Sequence, residues 1–153
     1  MALDATAKKQ NVRMSLRKYL IDEINGGARK SVFFDLGFSL PSIDSLNEWV
    51  SVQFGPMQRW GLSETSMDVI LVTRKDPEGN HLDELSDVVF EILTDNSKPD
   101  GLRRIVLYNT SESIWTEIGS LLVDDIKDTG DMTSSDNTKF QVLSCRIKWV
   151  AKC

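Results

Sequence analysis

Two nearby stretches, WVSVQF at Trp49–Phe54 and SMDVILVT at Ser66–Thr73, decide the fold of this chain. In the first, apolar and polar residues alternate, which predicts a β-strand with one face on the core. The second is apolar on both faces after Asp68, which is typical of a central strand. The run that follows at Asn80–Leu93 has its apolar residues on one stripe, so it predicts a helix that covers these two strands.

Other elements are predicted on both sides of this centre. Apolar residues at helical spacing predict a first helix over Asn11–Asn25, which Gly26 and Gly27 end. Apolar or alternating runs predict strands at 31–34, 103–108, 114–123 and 140–152, whereas loops are expected at 55–64 and in the polar stretch 124–139. Residues 1–10 are expected to form a flexible lead-in. The element order predicts one α+β domain over residues 11–153, with a single mixed or antiparallel β-sheet and two main helices packed on it.

The composition excludes several classes of protein. The chain has 153 residues, with 18 Lys and Arg against 23 Asp and Glu, and a net charge of −5. No apolar run approaches the roughly 20 residues that a membrane helix needs, and no secretory signal is recognisable. The acidic balance argues against binding nucleic acid over a broad surface, because such affinity depends on neutralising phosphates.

The residues that usually carry chemistry do not form a known site. His81 is the only histidine, so a multi-histidine metal site and a Ser-His-Asp triad are not expected. The acids Asp83, Glu84 and Asp87 suit the N-terminal half of a helix without any ligand. The acids between Asp124 and Asp131 lack the spacing of a calcium loop. We therefore predict no catalytic residue, no metal and no cofactor, and the chain is not expected to be an enzyme.

The two cysteines are predicted to stay unbridged. Cys145 and Cys153 are eight residues apart in one predicted strand, which separates them by roughly 26 Å. A disulfide requires its Cα atoms to lie within about 4.4–6.8 Å. A buried hydrophobe and a terminal thiol are the expected roles, in a reducing compartment.

Two features suggest a protein interface. The loop after the first central strand contains Met57, Arg59 and Trp60, which are residue types enriched at interface cores. It could equally fold back, so that Trp60 covers the core. In the final strand, Arg146 and Lys148 lie on the polar face, which would suit either an edge strand that pairs with another chain or a solvated sheet face.

The chain resembles the tail terminator (tail completion) proteins of long-tailed bacteriophages. The resemblance rests on an N-terminal helix of the type VRxxLxxYL, a strand of the type WVxVxF, and a strand that runs into TRK before an amphipathic helix. These pieces extend from Val12 to Leu93 and are represented here by Val12, Arg13, Leu16, Tyr19, Leu20, Trp49, Val50, Val52, Phe54 and the segment Val69–Lys75. No residue of the 124–139 segment matches a motif of the family.

This resemblance implies a structural role in the virion. Such proteins are small subunits that form a hexameric ring on the tail tube, stop its polymerisation and offer a surface to a head-side connector or stopper protein. The implied partners are other copies of the chain, the tube protein and the connector, while DNA only passes through the channel and no membrane is involved. The implied location is the tail or neck of a virion made in the bacterial cytoplasm.

Two alternatives remain open from the sequence. The chain could be another neck component, such as a head-completion stopper. It could also be a small intracellular module that binds a peptide or protein along the edge of its last strand.

Overall fold

The computed structural model describes residues 3–35, 47–59 and 62–152, and they form two main helices and six strands. A short 3-10 helix and a π-helical segment flank the first main helix. In chain order the elements are the 3-10 helix Ala5–Ala7, α1 (Lys9–Leu20), the π-helical segment Ile21–Gly27, β1 (Val32–Phe34), β2 (Glu48–Gln58), β3 (Leu62–Thr73), α2 (Asn80–Leu93), β4 (Arg104–Asn109), β5 (Thr116–Thr133) and β6 (Lys139–Val150).

The six strands form one mixed sheet in the order β1-β2-β3-β6-β5-β4. Only β1 and β2 run parallel, and every other neighbouring pair is antiparallel. The predicted α+β class, with a single sheet and two helices, is confirmed at this level. The final strand β6 lies inside the sheet between β3 and β5, so the prediction that it could be an edge strand is wrong. Its long alternating pattern reflects one face on the core and one face toward solvent, and it does not reveal how many strands pair with β6.

Both helices pack on the same face of the sheet. The buried residues of α1 and α2 share one core cluster with the inward residues of the strands. The helical members of this cluster are Val12, Leu16, Leu20, Leu82, Leu85, Val89 and Leu93. A smaller cluster around Trp49 and Ile70 lies on the outer face, where the guanidinium carbon of Arg74 is 4.7 Å from the centroid of a Trp49 ring.

The central part of the fold follows the predictions closely. The strands β2 and β3 are neighbours and α2 has the predicted stripe and bounds, but the main strand contacts of α2 are with β3 and β6 and not with both predicted strands. The predicted loop at 55–64 is shorter, because both strands extend into it and a bulge at Gly55 and Pro56 absorbs the irregularity. A Cβ at Gly55 would lie 1.9 Å from the Oγ atom of Ser66, so this close approach requires glycine.

Residues 5–10 do not form the flexible lead-in that we predicted. Asp4 caps the 3-10 helix by accepting a hydrogen bond from the Thr6 amide at 2.9 Å. Thr6 is buried, and its carbonyl accepts a hydrogen bond from the indole nitrogen of Trp149 at 2.9 Å. The backbone amide of Lys152 also donates to the Thr6 hydroxyl at 2.7 Å. These contacts with the end of β6 fix a segment that has too few apolar residues to be recognised from sequence.

The polar segment 124–139 is a β-hairpin and not the predicted loop. The strand β5 continues to Thr133 and β6 begins at Lys139, so only residues 134–138 form the turn. Register shifts after Val123 and Asp128 mark bulges in this hairpin. Backbone pairing with β6 holds the strand, while its side chains from residue 127 to 133 are exposed. A strand that buries so little needs no apolar alternation, which explains the error.

Candidate interface

The predicted interface loop is partly packed against the chain itself. Met57 is half-buried and lies against the main core cluster. The guanidinium of Arg59 donates a hydrogen bond to the carbonyl of Ala7 at 3.4 Å, which connects the end of β2 to the 3-10 helix. Trp60 lies outside the described residues. Two of the three loop residues therefore contribute to the fold as well as to the surface.

Arg146 and Lys148 form an ion network on the outer face of the sheet. Both bind one carboxylate oxygen of Asp124, with Arg146 donating from Nε at 3.0 Å and from Nη2 at 2.6 Å. The Lys148 ammonium lies 3.2 Å from the same oxygen. The hydrogen bonds from Arg146 and Lys148 lower the pKa of Asp124, and the bond to Asp124 raises the pKa of Arg146. These cations pair within the chain, which reduces what they offer to a partner.

The structure places the predicted residues that it describes at one end of the sheet but on opposite faces. Met57 is in register with Thr65, which pairs with Ile147 of the core face. Gln58 is in register with Glu64, which pairs with Lys148 of the outer face. A partner that contacts Arg59 and Lys148 together must therefore bind end-on, across the ends of the strands.

That end of the sheet exposes apolar side chains that the sequence analysis missed. Leu62 and Val150 lie directly opposite each other in β3 and β6, and their exposed fractions are 65% and 72%. Ile114, in the connection from β4 to β5, is 78% exposed, and Leu3 beside the 3-10 helix is 52% exposed. Alternation along β6 would have placed Val150 on its polar face. An apolar residue at that position was the available signal.

We call this surface the turn end and define it by Leu3, Arg59, Leu62, Ile114 and Val150. It holds four of the seven large hydrophobic side chains that are exposed among the described residues. Large apolar side chains that are exposed at the same end of a monomeric protein mark a candidate interaction site. The turn end is therefore the best candidate interface on the described part of the chain.

The acids at the opposite end of the sheet serve the fold. Asp76 is 3% exposed and accepts hydrogen bonds from the amides of Leu82 and His81 and from the Thr73 hydroxyl. It therefore occupies the N-terminus of α2, where an external anion could otherwise bind. The His81 ring is exposed, and its Nδ1 lies 3.9 Å from a Glu84 oxygen.

The described residues offer little for metal or thiol chemistry. Across 3–35, 47–59 and 62–152, no three His, Cys, Asp or Glu residues are grouped to hold a metal ion. Cys145 is buried, and burial raises the pKa of its thiol to about 12, so it is not a nucleophile at neutral pH. Cys153, the other cysteine, lies outside the described residues. No helix in the described ranges is long and apolar enough to cross a membrane.

Comparison with known proteins gives information about the fold only. The chain matches no protein-family model and no curated protein. A solved structure of a protein whose name carries no functional description is similar, with a TM-score of 0.65 and 10% sequence identity. The likeness covers 95% of this chain and 97% of that one. At this identity it shows that the α+β architecture recurs in a solved protein, and nothing about activity.

Proposed function

We propose that this chain is a ring-forming subunit of the tail terminator type. In this role, copies of the chain cap the tail tube of a long-tailed bacteriophage, end its polymerisation and present a surface to the head-side connector. The proposal starts from the motifs at Val12–Leu93 that resemble this family. A subunit in this role needs a surface that suits permanent contact with another protein.

The observation that carries the proposal is the apolar turn end. Leu62, Ile114 and Val150 expose most of their side chains to water in the isolated chain. Burying such area against a tube protein would contribute roughly 25 cal/mol per Å². The ion network at Asp124 borders this surface on the outer face. An apolar centre with a charged rim is the usual composition of a stable interface.

The net charge and the remaining surface are compatible with this role. A chain of net charge −5 does not attract phosphates overall, so a ring of such subunits would let DNA pass without holding it. The alternative of a peptide-binding module relied on β6 as an edge strand. Since β6 lies inside the sheet, that alternative has lost its supporting feature.

Particles assembled without this chain test the proposal. We expect tails of uncontrolled length that fail to join heads, and cryo-electron microscopy of complete particles should locate the chain at the head-proximal end of the tube. Normal tails in its absence would exclude a terminator role. Density for the chain at the connector alone would instead indicate a stopper.

Complementation of these particles tests the surface separately. Leu62→Asp combined with Val150→Asp should fail to restore tail length. Phe90→Asp, which alters an exposed apolar residue on α2, should restore it. If wild type restores normal tails and both variants do so equally well, the turn end is not the tube contact.

A further inference from the structure

The two main helices carry charges of opposite sign. The helix α1 contains four cations and no acid, whereas α2 contains four acids and no Lys or Arg. The four acids are all exposed. Among the described residues, no ion pair joins the two helices. The charges are therefore separated by helix and do not neutralise each other within one chain. The cations are Lys9, Arg13, Arg17 and Lys18, and the acids are Asp83, Glu84, Asp87 and Glu91.

This charge pattern is unfavourable for each helix on its own. Like charges four residues apart repel each other on a helix surface, and they occur here at 9, 13 and 17 in α1 and at 83, 87 and 91 in α2. Lys9 lies in the first turn of α1 and Glu91 in the last turn of α2, where the helix dipole favours the opposite sign. The stability of the isolated helices does not explain the pattern, whereas a partner of opposite charge does.

The cations of α1 are not equally available to a partner. Arg17 lies 3.0 Å from Asp35, and Lys18 lies 2.7 Å from Asp22, so both already bind an acid. The other two cations are in the first half of the helix and have no acid partner among the described residues. The free positive charge of α1 is therefore concentrated towards its N-terminus.

These two cations differ in how they are held. Lys9 is exposed. Arg13 is half-buried, with its guanidinium carbon 5.5 Å from the centroid of the Phe54 ring, and it donates to the carbonyl of Gly55 at 3.3 Å. These contacts fix the direction of the Arg13 side chain without neutralising its charge. Together the two residues form a basic surface on the first half of α1.

The acids of α2 have no cationic partner among the described Lys and Arg residues. Only the His81 ring is near, with its Nδ1 atom 3.9 Å from a Glu84 oxygen. Asp87 and Glu91 lie one turn apart in the second half of the helix and are exposed. This half of α2 is therefore an acidic surface of the same length as the basic surface on α1.

We propose that the first half of α1 in one copy packs antiparallel along the second half of α2 in the next copy. Lys9 then lies beside Glu91, and Arg13 lies beside Asp87. Both pairs are four residues apart, so they have the same rise of about 6 Å along the helix. The antiparallel direction also places the positive dipole end of α1 beside the negative end of α2. Since packed helices cross at an angle, the contact is confined to these two halves.

This contact joins two different surfaces, and such heterologous contacts form rings when the rotation closes. The inference deepens the proposed function, on which the ring rests, by naming the contact between neighbouring subunits. Exposed ion pairs contribute little affinity each, but complementary charges set the orientation and the partner. The turn end then stays available for the tube.

Charge reversal in separate chains tests the contact. Lys9→Glu and Glu91→Lys should each weaken self-association by about fivefold at low ionic strength, because each places like charges beside one another. Mixing the two variants should restore association, since the reversed side chain of one variant then meets the reversed side chain of the other. Analytical ultracentrifugation measures both effects. Added salt should weaken the association of wild type by screening.

The same variants separate association from folding. Lys9→Glu introduces an acid into the first turn of α1, and Glu91→Lys introduces a base into the last turn of α2. Both changes suit the helix dipoles and remove repulsion between like charges. The melting temperature of the monomer should therefore stay the same or rise while self-association falls. Residues that served only the fold would lower the melting temperature when reversed.

Matched controls lie on β5. Asp131→Lys and Lys127→Glu make the same charge changes at exposed positions and should leave association unchanged. The double variant Lys9→Glu with Glu91→Lys keeps the net charge of −5 and should associate as wild type does. A strictly monomeric wild type at low ionic strength, single variants that associate as the controls do, or a mixture that associates no better than its components would overturn the inference.

The two proposals fail in different ways. If particles without the chain have uncontrolled tails but the charge reversals do not alter association, the helix contact is wrong and the terminator role remains. If the mixed variants restore association and tails are normal without the chain, the helix contact is right and the terminator role is wrong.

Discussion

The carboxylate of Asp76 accepts a hydrogen bond from the backbone amide of Leu82 at 2.9 Å, so a residue just after β3 closes the first turn of α2. The same side chain accepts hydrogen bonds from the His81 amide and the Thr73 hydroxyl. Asp76→Ala should lower the free energy of unfolding by about 1–2 kcal/mol, as loss of a helix cap does. Chemical denaturation measures this. Glu78→Ala, an exposed acid in the same turn, is the matched control and should change little.

The hydrogen bonds accepted by Asp76 should also make the free energy of unfolding depend on pH in the acid range. Burial raises the pKa of Asp76, but the hydrogen bonds from Leu82, His81 and Thr73 together outweigh it and lower the pKa below its ordinary value. A lowered folded-state pKa contributes stability above the unfolded pKa, and that contribution is lost as pH falls through the folded value. The stability difference between wild type and Asp76→Asn should therefore shrink below about pH 4. A difference independent of pH would contradict this.

Tyr19 should make the free energy of unfolding decrease at alkaline pH. Its hydroxyl donates to the Ile92 carbonyl at 2.6 Å, and burial raises its pKa to about 12. A raised folded-state pKa contributes stability that is present below the unfolded pKa of about 10 and lost as pH rises through the folded value. Cys145 adds a loss of the same sign. Tyr19→Phe should reduce the alkaline decline, measured as unfolding free energy against pH.

The buried stripe of α2 predicts that substitutions at nearby positions of this helix differ strongly in the stability they cost. Leu85 is 1% exposed and Val89 is fully buried, so Leu85→Ala should cost about 2–5 kcal/mol through lost transfer energy and a cavity. Phe90→Ala removes a larger side chain that is half exposed and should cost much less. Thermal unfolding compares the two. An unchanged melting temperature for Leu85→Asp would mean that the assigned buried face is wrong.

The bulge in β2 predicts that a second substitution restores part of the stability lost when Gly55 is replaced. In Gly55→Ala the new Cβ would meet the Oγ of Ser66, and overpacking of this kind costs about 1–3 kcal/mol. Removing the obstructing side chain as well, in Gly55→Ala with Ser66→Gly, should recover part of the loss relative to Ser66→Gly alone. A double-mutant cycle by denaturation gives the coupling. Purely additive effects would show that the close approach does not determine the requirement for glycine.

Substitutions of Arg59 and Trp60 distinguish a role of this loop in folding from a role in assembly. Arg59→Ala with Trp60→Ala should leave the fold intact and abolish ring formation or tube capping, since Trp and Arg dominate interface energetics. Lys127→Ala, an exposed cation farther along β5 from the turn end, is the control. If Trp60 instead covers the core, the double variant should lose roughly 3–5 kcal/mol of stability. A stable double variant that gives normal tails would exclude this loop as a contact.

The sequence predicted the elements whose side chains are buried. Asn80–Leu93 was predicted with its observed bounds because one apolar stripe and a preceding turn define it. The second half of β5, from Asp124 to Thr133, was missed because its stability comes from backbone pairing with β6, and exposed Asp and Thr side chains give no periodic signal. Likewise, the position of β6 inside the sheet depends on strand order, which alternation does not encode.

The candidate site could be predicted only in part. Met57, Arg59, Arg146 and Lys148 do lie at one end of the sheet, but that proximity arises from register between strands distant in the chain. The shared carboxylate of Asp124 belongs to a segment predicted as loop. Leu62 and Val150 were recognisable only once their cross-strand pairing was known.

The contacts of Thr6 have a consequence for the order of folding. Its carbonyl and hydroxyl bind Trp149 and Lys152, which are 143 and 146 residues away along the chain. Contacts of such separation form late, because closing so long a segment costs entropy before it gives any stabilisation. During synthesis, the N-terminal segment must therefore wait for residues 149–152 to leave the ribosome. A partly made chain cannot complete the turn end, so it has no finished surface with which to bind a partner prematurely.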